Sequence, residues 1–144
     1  MSNSIDRPSY GIGNASYLAA GELDGLRKLC EDFYHVMDTL DEAKIIRQMH
    51  QDDLAVMVDK LTLFLAMWLG GPRLYHEKYG FIGMPQAHQH LVINQSEKKA
   101  WLLCMNIALE KQDYELSFKR YLYNQLCKPA EVIYRSSRKH DEFL

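Results

Sequence analysis

Apolar residues recur at steps of three and four along four long segments of this 144-residue chain. In each segment the repeat places one apolar stripe along a helix; the segments are residues 22–38, 53–69, 95–111 and 113–137. No segment alternates polar and apolar residues over the length of a strand. The pattern predicts an all-α fold with four main helices and shorter helices near 14–20 and 39–51. The polar residues 1–12 predict a weakly ordered arm.

Glycine, proline and capping residues predict several helix ends. The letters "GGP" (70–72) supply a C-terminal glycine and a proline stop for the second long helix. Asn94 and Glu97 have the spacing of a capping box at the start of the third. Pro129 predicts that the fourth helix ends or kinks near Lys128, because proline lacks an N–H and clashes with the preceding turn.

Charge and cysteine content argue against several classes of protein. The net charge of -2 and the pI of about 6.3 give no general attraction to nucleic acid or to an anionic membrane, so we expect neither partner. No apolar run approaches the roughly 18 residues of a membrane span, and the N-terminus lacks the features of a signal peptide. Three widely spaced cysteines without a Cys-x-x-Cys pair predict a reducing compartment, the cytoplasm.

The stretch 70–94 has no strong helical period. It contains four glycines and two prolines, and connections of this length are often functional. Near its end, "PQAHQHLVI" (85–93) holds His88 and His90. On a helix two such side chains point about 200° apart and cannot reach one metal. On an extended strand they share a face and could form half of a zinc site.

The local sequence leaves the role of these histidines open. A zinc site needs further ligands, and the nearest candidates, His76, Glu77 and Cys104, match no zinc spacing. A single neutral histidine facing an apolar cavity can instead bind one axial site of a haem iron. A third alternative is a hydrogen-bonded histidine beside the core.

Several short motifs follow one another in an order that resembles the group II truncated haemoglobins, also called two-over-two globins. They are "FYHVMD" (33–38), "IRQMHQDDL" (46–54), "FLAMWLGGPRLYHEKYG" (64–80), a histidine, and "EKKAWLLCM" (97–105). The resemblance runs from Gly21 to Leu126, and its most specific parts are "WLGGPRLYHEKYG" and the 13-residue spacing from His88 to Trp101. It implies an all-α two-over-two helical sandwich around haem b. The expected organisation is an N-terminal extension over 1–20, a globin domain over 21–137 and a tail over 138–144.

The resemblance also implies roles for individual residues. His88 takes the position of the proximal histidine that binds the haem iron, and His90 is expected at the haem edge or in solvent. On the distal side Tyr34, Trp101 and His50 match positions whose side chains donate hydrogen bonds to the ligand. Bound oxygen carries partial negative charge, so each such charge-assisted bond is worth about 1.5–3 kcal/mol.

The remaining pocket residues follow from the same resemblance. Met57 stands where many globins have a distal histidine or glutamine; as a flexible apolar side chain it could gate ligand access. The residues expected to contact the haem are Leu61, Phe64, Leu91 and Ile93. Lys60 and Tyr75 are the candidate partners of the haem propionates.

Two positions leave alternatives open. His50 could donate to the ligand, bond to Tyr34, or bind the iron as a sixth ligand. The family usually has arginine just before the proximal histidine, and this chain has Ala87. Arg73 or His90 could substitute for it in binding a propionate.

Three hypotheses for function follow. The first is a haem protein that reversibly binds oxygen, carbon monoxide and nitric oxide; several donors would hold oxygen tightly, which argues against simple bulk oxygen transport. The second is an enzyme for nitric oxide dioxygenation or for peroxide or peroxynitrite detoxification. It would need a separate reductase, because the chain has no G-x-G-x-x-G nucleotide-binding fingerprint. The third is a helical interaction domain without a cofactor, which would fill its own cavity and purify colourless.

Overall fold

The structure is a computed structural model that describes residues 9–49, 53–80 and 93–142, with side chains as far as Arg135. Every element in these ranges is a helix: α1 Ala15–Ala19, α2 Glu22–Thr39, a 3-10 turn Asp41–Ala43, α3 Lys44–Met49, α4 Leu54–Trp68, α5 Leu74–Tyr79, α6 Gln95–Glu110 and α7 Leu116–Glu142. The predicted four main helices and both predicted short helical regions are confirmed. No helix within the described ranges has the length and hydropathy needed to cross a membrane.

The long helices pack as two pairs. Helix α2 packs against both α4 and α6, α6 packs against α7, and the short α5 lies on α4. The apolar stripe of α2 lies at the centre of the core and is buried throughout; it comprises Leu26, Leu29, Cys30, Phe33, Tyr34, Val36 and Met37. The pairs α2/α4 and α6/α7 form the helical sandwich that the sequence predicts.

The N-terminal segment packs on this bundle. The hydroxyls of Tyr10 and Ser117 share a hydrogen bond of 2.9 Å, and the Tyr10 ring lies 5.3 Å from that of Phe118. Further along, the Tyr17 N–H donates to the Leu69 carbonyl at 3.2 Å. Tyr10 therefore packs on α7, while residues 1–8 of the arm predicted to be weakly ordered lie outside the described ranges.

The end of α4 follows from its glycines. The Gly71 N–H donates to the Ala66 carbonyl at 2.7 Å and the Gly70 N–H to the Met67 carbonyl at 3.2 Å, which is the Schellman pattern. Gly70 has a φ of +93°, and a Cβ atom there would stand 2.0 Å from the Gly13 carbonyl oxygen. Glycine is thus required both by the backbone conformation and by the close approach of the N-terminal loop.

Of the two alternatives for Pro129, an end of α7 near Lys128 is wrong, because the helix continues through Pro129 to Glu142; a kink there stays a prediction. Contacts with α6 compensate for the backbone bond that proline removes. Lys98 forms an ion pair with Glu131 at 2.7 Å, and its Nζ lies 5.2 Å from the centre of the Tyr134 ring. The second half of α7 is therefore held against α6.

The stretch 70–94 contains one short helix among its described residues. Helix α5 occupies Leu74–Tyr79 and ends at Gly80, whose φ is +91°. Six residues are too few to display a helical period, so the pattern of the sequence concealed this helix. The two signals that did mark it are Pro72 before its start and Gly80 at its end.

Candidate functional site

Helix α4 is apolar on two faces. One face is buried in the core and comprises Val58, Thr62, Leu65, Ala66 and Leu69. The second comprises Met57, Leu61, Phe64 and Trp68; Met57 is buried, Leu61 and Phe64 are partly buried, and Trp68 is exposed. A helix that is apolar on two faces needs an apolar partner for each of them. The described protein covers the first face fully and the second only in part, so the second face fits a large apolar ligand.

Three aromatic side chains form a cluster between α2 and α6. The Phe33 ring lies 5.0 Å from that of Tyr34 and 5.1 Å from that of Trp101, each in an edge-to-face arrangement. Tyr34 is only 6% exposed, and burial raises the pKa of its hydroxyl. The hydroxyl therefore stays protonated and can act as a hydrogen-bond donor.

Phe33 was not among the predicted site residues. It joins the two predicted donors, because its ring contacts both Tyr34 and Trp101. Its position next to Tyr34 on the apolar stripe of α2 could have indicated that it lies at the site. Sequence spacing alone did not show that a ring on α2 would support an indole on α6.

A polar rim borders the second face of α4. The Tyr75 ring lies 5.8 Å from that of Phe64 and 5.4 Å from that of Tyr79. The Lys60 Nζ lies 5.4 Å from the centre of the Tyr79 ring. A cation and a phenol thus stand beside an apolar surface, which suits an apolar ligand that carries carboxylates. The described residues fit haem, which is flat and apolar and has two propionates.

Asp59 makes the densest set of polar contacts at this rim. Its Oδ2 accepts hydrogen bonds from Lys78 Nζ at 2.8 Å and from the Tyr79 hydroxyl at 2.6 Å. Its Oδ1 accepts one from Arg27 Nη2 at 3.3 Å. These bonds, that from Lys78 first, lower the pKa of the carboxyl to about 2. This cluster was not predicted from the sequence, although Asp59 and Lys60 are the only charged residues within α4.

The thiols of Cys30 and Cys104 are buried. Burial raises the pKa of Cys30 to about 12 and that of Cys104 to about 11, so both remain protonated and unreactive at neutral pH. Within the described residues no three His, Cys, Asp or Glu side chains are grouped as metal ligands. The described part of the chain thus gives no support to the zinc alternative that invoked His76, Glu77 and Cys104.

The predicted site residues divide into two sets. Those that the structure describes are Tyr34, Met57, Lys60, Leu61, Phe64, Tyr75, Ile93 and Trp101. Of these, Tyr34 and Trp101 meet through Phe33, while Ile93 is partly buried just before α6. Four predicted residues lie outside the described ranges: His50, His88, His90 and Leu91.

Comparison with known proteins gives one consistent result. The family model of bacterial-like globins matches residues 16–128. A group 2 truncated haemoglobin of Bacillus subtilis is 30% identical over 128 residues, which cover 89% of this chain and 94% of that protein. Among solved structures, a group II 2-on-2 haemoglobin of Agrobacterium tumefaciens is 30% identical with a TM-score of 0.77, covering 82% of this chain and 92% of that one. A cold-adapted truncated haemoglobin of Pseudoalteromonas haloplanktis is 27% identical with a TM-score of 0.78, covering 82% and 95%.

Proposed function

Because this chain belongs to the bacterial-like globin family, as a group II truncated haemoglobin that binds haem b, we propose that it holds oxygen in a polar distal pocket and releases it slowly. The family binds diatomic gases, and haem supplies the iron that takes them up. The slow release is the specific part of the proposal. It depends on the donors that the protein places beside the ligand.

Tyr34 and Trp101 are the proposed donors. Each can donate one hydrogen bond, from a hydroxyl and from an indole N–H. Their rings pack against the same Phe33 side chain, which supports both donors. Burial of Tyr34 excludes water that would compete for its hydroxyl.

The proposed haem contacts lie on both sides of the cofactor. His88 is the proposed iron ligand, with Leu91 and Ile93 as apolar contacts. His50 is a third proposed distal donor, with bonding to Tyr34 or to the iron as its alternatives. These assignments rest on the order of the family motifs in the sequence.

The second face of α4 is the proposed distal wall. Leu61 and Phe64 would contact the haem, and Met57, which brings no N–H donor, would stand between the pocket and the ligand path. Lys60 and Tyr75 are the proposed propionate partners, because they border this apolar face.

We propose that turnover with nitric oxide, where it occurs, uses a separate reductase. A pocket that holds oxygen tightly also holds the oxidant for nitric oxide dioxygenation, and Tyr34 and Trp101 favour this as the second candidate function. The chain has no G-x-G-x-x-G fingerprint for a nucleotide electron donor. Its three cysteines are unpaired, which supports a reducing compartment such as the cytoplasm. The proposed globin unit is residues 21–137, between an extension (1–20) and a tail (138–144).

The observation that carries the proposal is the pairing of a partly covered apolar face on α4 with the donors Tyr34 and Trp101. The test is the absorption spectrum of the purified protein, ferric and dithionite-reduced, followed by stopped-flow measurement of oxygen release. We expect a Soret band that shifts with carbon monoxide and an oxygen dissociation rate that rises when either donor is removed. A wild-type protein that folds colourless and takes up no haemin would refute haem binding. Rapid oxygen release, unchanged without the donors, would refute the proposed pocket.

A further inference from the structure

One carboxylate joins three helices at the rim of the site. Asp59 of α4 accepts hydrogen bonds from Arg27 of α2 and from Lys78 and Tyr79 of α5. The Asp59 side chain is 19% exposed, and three protein side chains donate to it. A carboxylate in this position depends on its protein partners, and they are held in place by it.

The Tyr79 ring connects this carboxylate to the proposed propionate partners. Its hydroxyl donates to Asp59 at 2.6 Å. Its ring lies 5.4 Å from the Lys60 Nζ and 5.4 Å from the Tyr75 ring. A cation near a ring face is attracted by the negative electrostatic potential of that face. The orientation of Tyr79 therefore influences where Lys60 and Tyr75 stand.

We infer that Asp59 is a positioning residue for haem retention: it fixes Tyr79 and α5, and through them it holds Lys60 and Tyr75 at the propionates. This inference rests on the proposed assignment of those two residues. Asp59 itself is not a haem ligand. Without its charge, Asp59 accepts more weakly from Tyr79 and Lys78, Tyr79 is held less firmly beside Lys60, and haem leaves faster.

The first test compares the rate of haem loss to an excess of an apoglobin acceptor. Asp59→Asn keeps the size of the side chain and removes its charge. We expect a rate about tenfold higher, equivalent to about 1.4 kcal/mol. The matched control is Glu131→Gln, because Glu131 also accepts from two cations, Lys98 and Arg135, but joins α6 to α7. Its rate of haem loss should equal that of the wild type.

A second variant tests whether the effect passes through Tyr79. Tyr79→Phe keeps the ring and removes only the hydroxyl, so it should also speed haem loss. The double variant should lose haem only slightly faster than the faster of the two single variants, because both changes break the same connection. Additive effects in the double variant would contradict the proposed path. If Asp59→Asn does not fold, Tyr79→Phe carries the same comparison alone.

Modified haem separates positioning from general stability. When the propionates are blocked as methyl esters, Lys60 and Tyr75 have no carboxylates to bind. Wild type and Asp59→Asn should then lose the esterified haem at equal rates. A tenfold difference that persists would show a merely structural role and overturn the inference.

Hydrogen exchange gives a readout that does not depend on the haem chemistry. In Asp59→Asn the amides of α5 should exchange faster than in the wild type, while those of α7 remain unchanged. If the wild type binds haem and Asp59→Asn matches it in both the rate of haem loss and the exchange of the α5 amides, the role of Asp59 is refuted and the proposed function is not. A wild type that takes up no haemin refutes the proposed function and this inference with it.

Discussion

The substitution Tyr34→Phe tests the distal pocket with the smallest change. It removes one hydroxyl and keeps the ring, so the edge-to-face contact with Phe33 at 5.0 Å can remain. Because Tyr34 is 6% exposed, water cannot readily replace the lost donor. The variant should therefore keep its fold and lose one hydrogen bond to the bound gas.

The expected magnitude follows from that single bond. A hydrogen bond to a charged or partly charged acceptor contributes about 1.5–3 kcal/mol, which corresponds to a factor of about ten to one hundred in a rate. Trp101 remains as a donor, so we expect the lower part of this range. Oxygen dissociation from Tyr34→Phe should be about tenfold faster than from the wild type, measured by mixing the oxygenated protein with carbon monoxide in a stopped-flow instrument.

The matched control is Tyr114→Phe. Burial raises the pKa of Tyr114 as it does that of Tyr34, but its hydroxyl donates to the Ala20 carbonyl at 2.9 Å, at the end of α1. This control should lower the free energy of unfolding by about 1 kcal/mol and leave the oxygen dissociation rate unchanged. Equal rates for wild type and Tyr34→Phe, with normal haem content, would refute the role of Tyr34 as a ligand donor.

Three further predictions concern the fold and the pocket. Gly70→Ala should lower the free energy of unfolding, measured in urea, by at least about 2 kcal/mol, because the backbone is left-handed and the new Cβ would clash with Gly13. Gly13→Ala should lower it by only about 1–2 kcal/mol, because the new Cβ meets nothing within 4 Å. The folded-state pKa of Asp59 lies below its unfolded value, so its contribution to the free energy of unfolding is present at neutral pH and is lost as the pH falls from about 5 towards 2. Between about pH 5 and 3, the free energy of unfolding of Asp59→Asn should therefore fall less steeply than that of the wild type. Parallel curves would contradict this. Met57→Ala should open the distal wall and raise the carbon monoxide association rate after flash photolysis, and an unchanged rate would exclude Met57 as a gate.

Local patterns in the sequence were sufficient for most of the helices. The end of α4 depends on hydrogen bonds among residues no more than five positions apart, Ala66 to Gly71, so the letters "GGP" were enough to predict it. The capping box of α6 is equally local: the Asn94 N–H donates to Glu97 at 3.1 Å. The stripe that includes Tyr34 was readable because the helical period places its members on one face.

Features that depend on residues far apart in the sequence could not be predicted from it. The continuation of α7 past Pro129 is supported by Lys98, which pairs with Glu131 from 33 positions away. Asp59 meets residues 32, 19 and 20 positions distant. No local pattern states which helices will meet, so the sequence left open whether α7 ends or kinks at Pro129, and the Asp59 cluster could not be predicted.

The two faces of α4 lie between these cases. The sequence showed that Met57, Leu61 and Phe64 share a stripe, and this much is a property of helical period alone. It did not show which of the faces α2 would cover. The structure supplies that choice, and with it the side on which an apolar cofactor can be held.

The central claim is that haem is held in this chain through His88, and exchange of each histidine in "AHQH" tests it most directly. We would measure the haem content and absorption spectrum of His88→Ala beside His90→Ala, with and without added imidazole. We expect His88→Ala to lose haem or change its spectrum, imidazole to restore the wild-type bands, and His90→Ala to match the wild type. A His88→Ala protein with full haem content and an unchanged spectrum would contradict the assignment of His88 as the iron ligand.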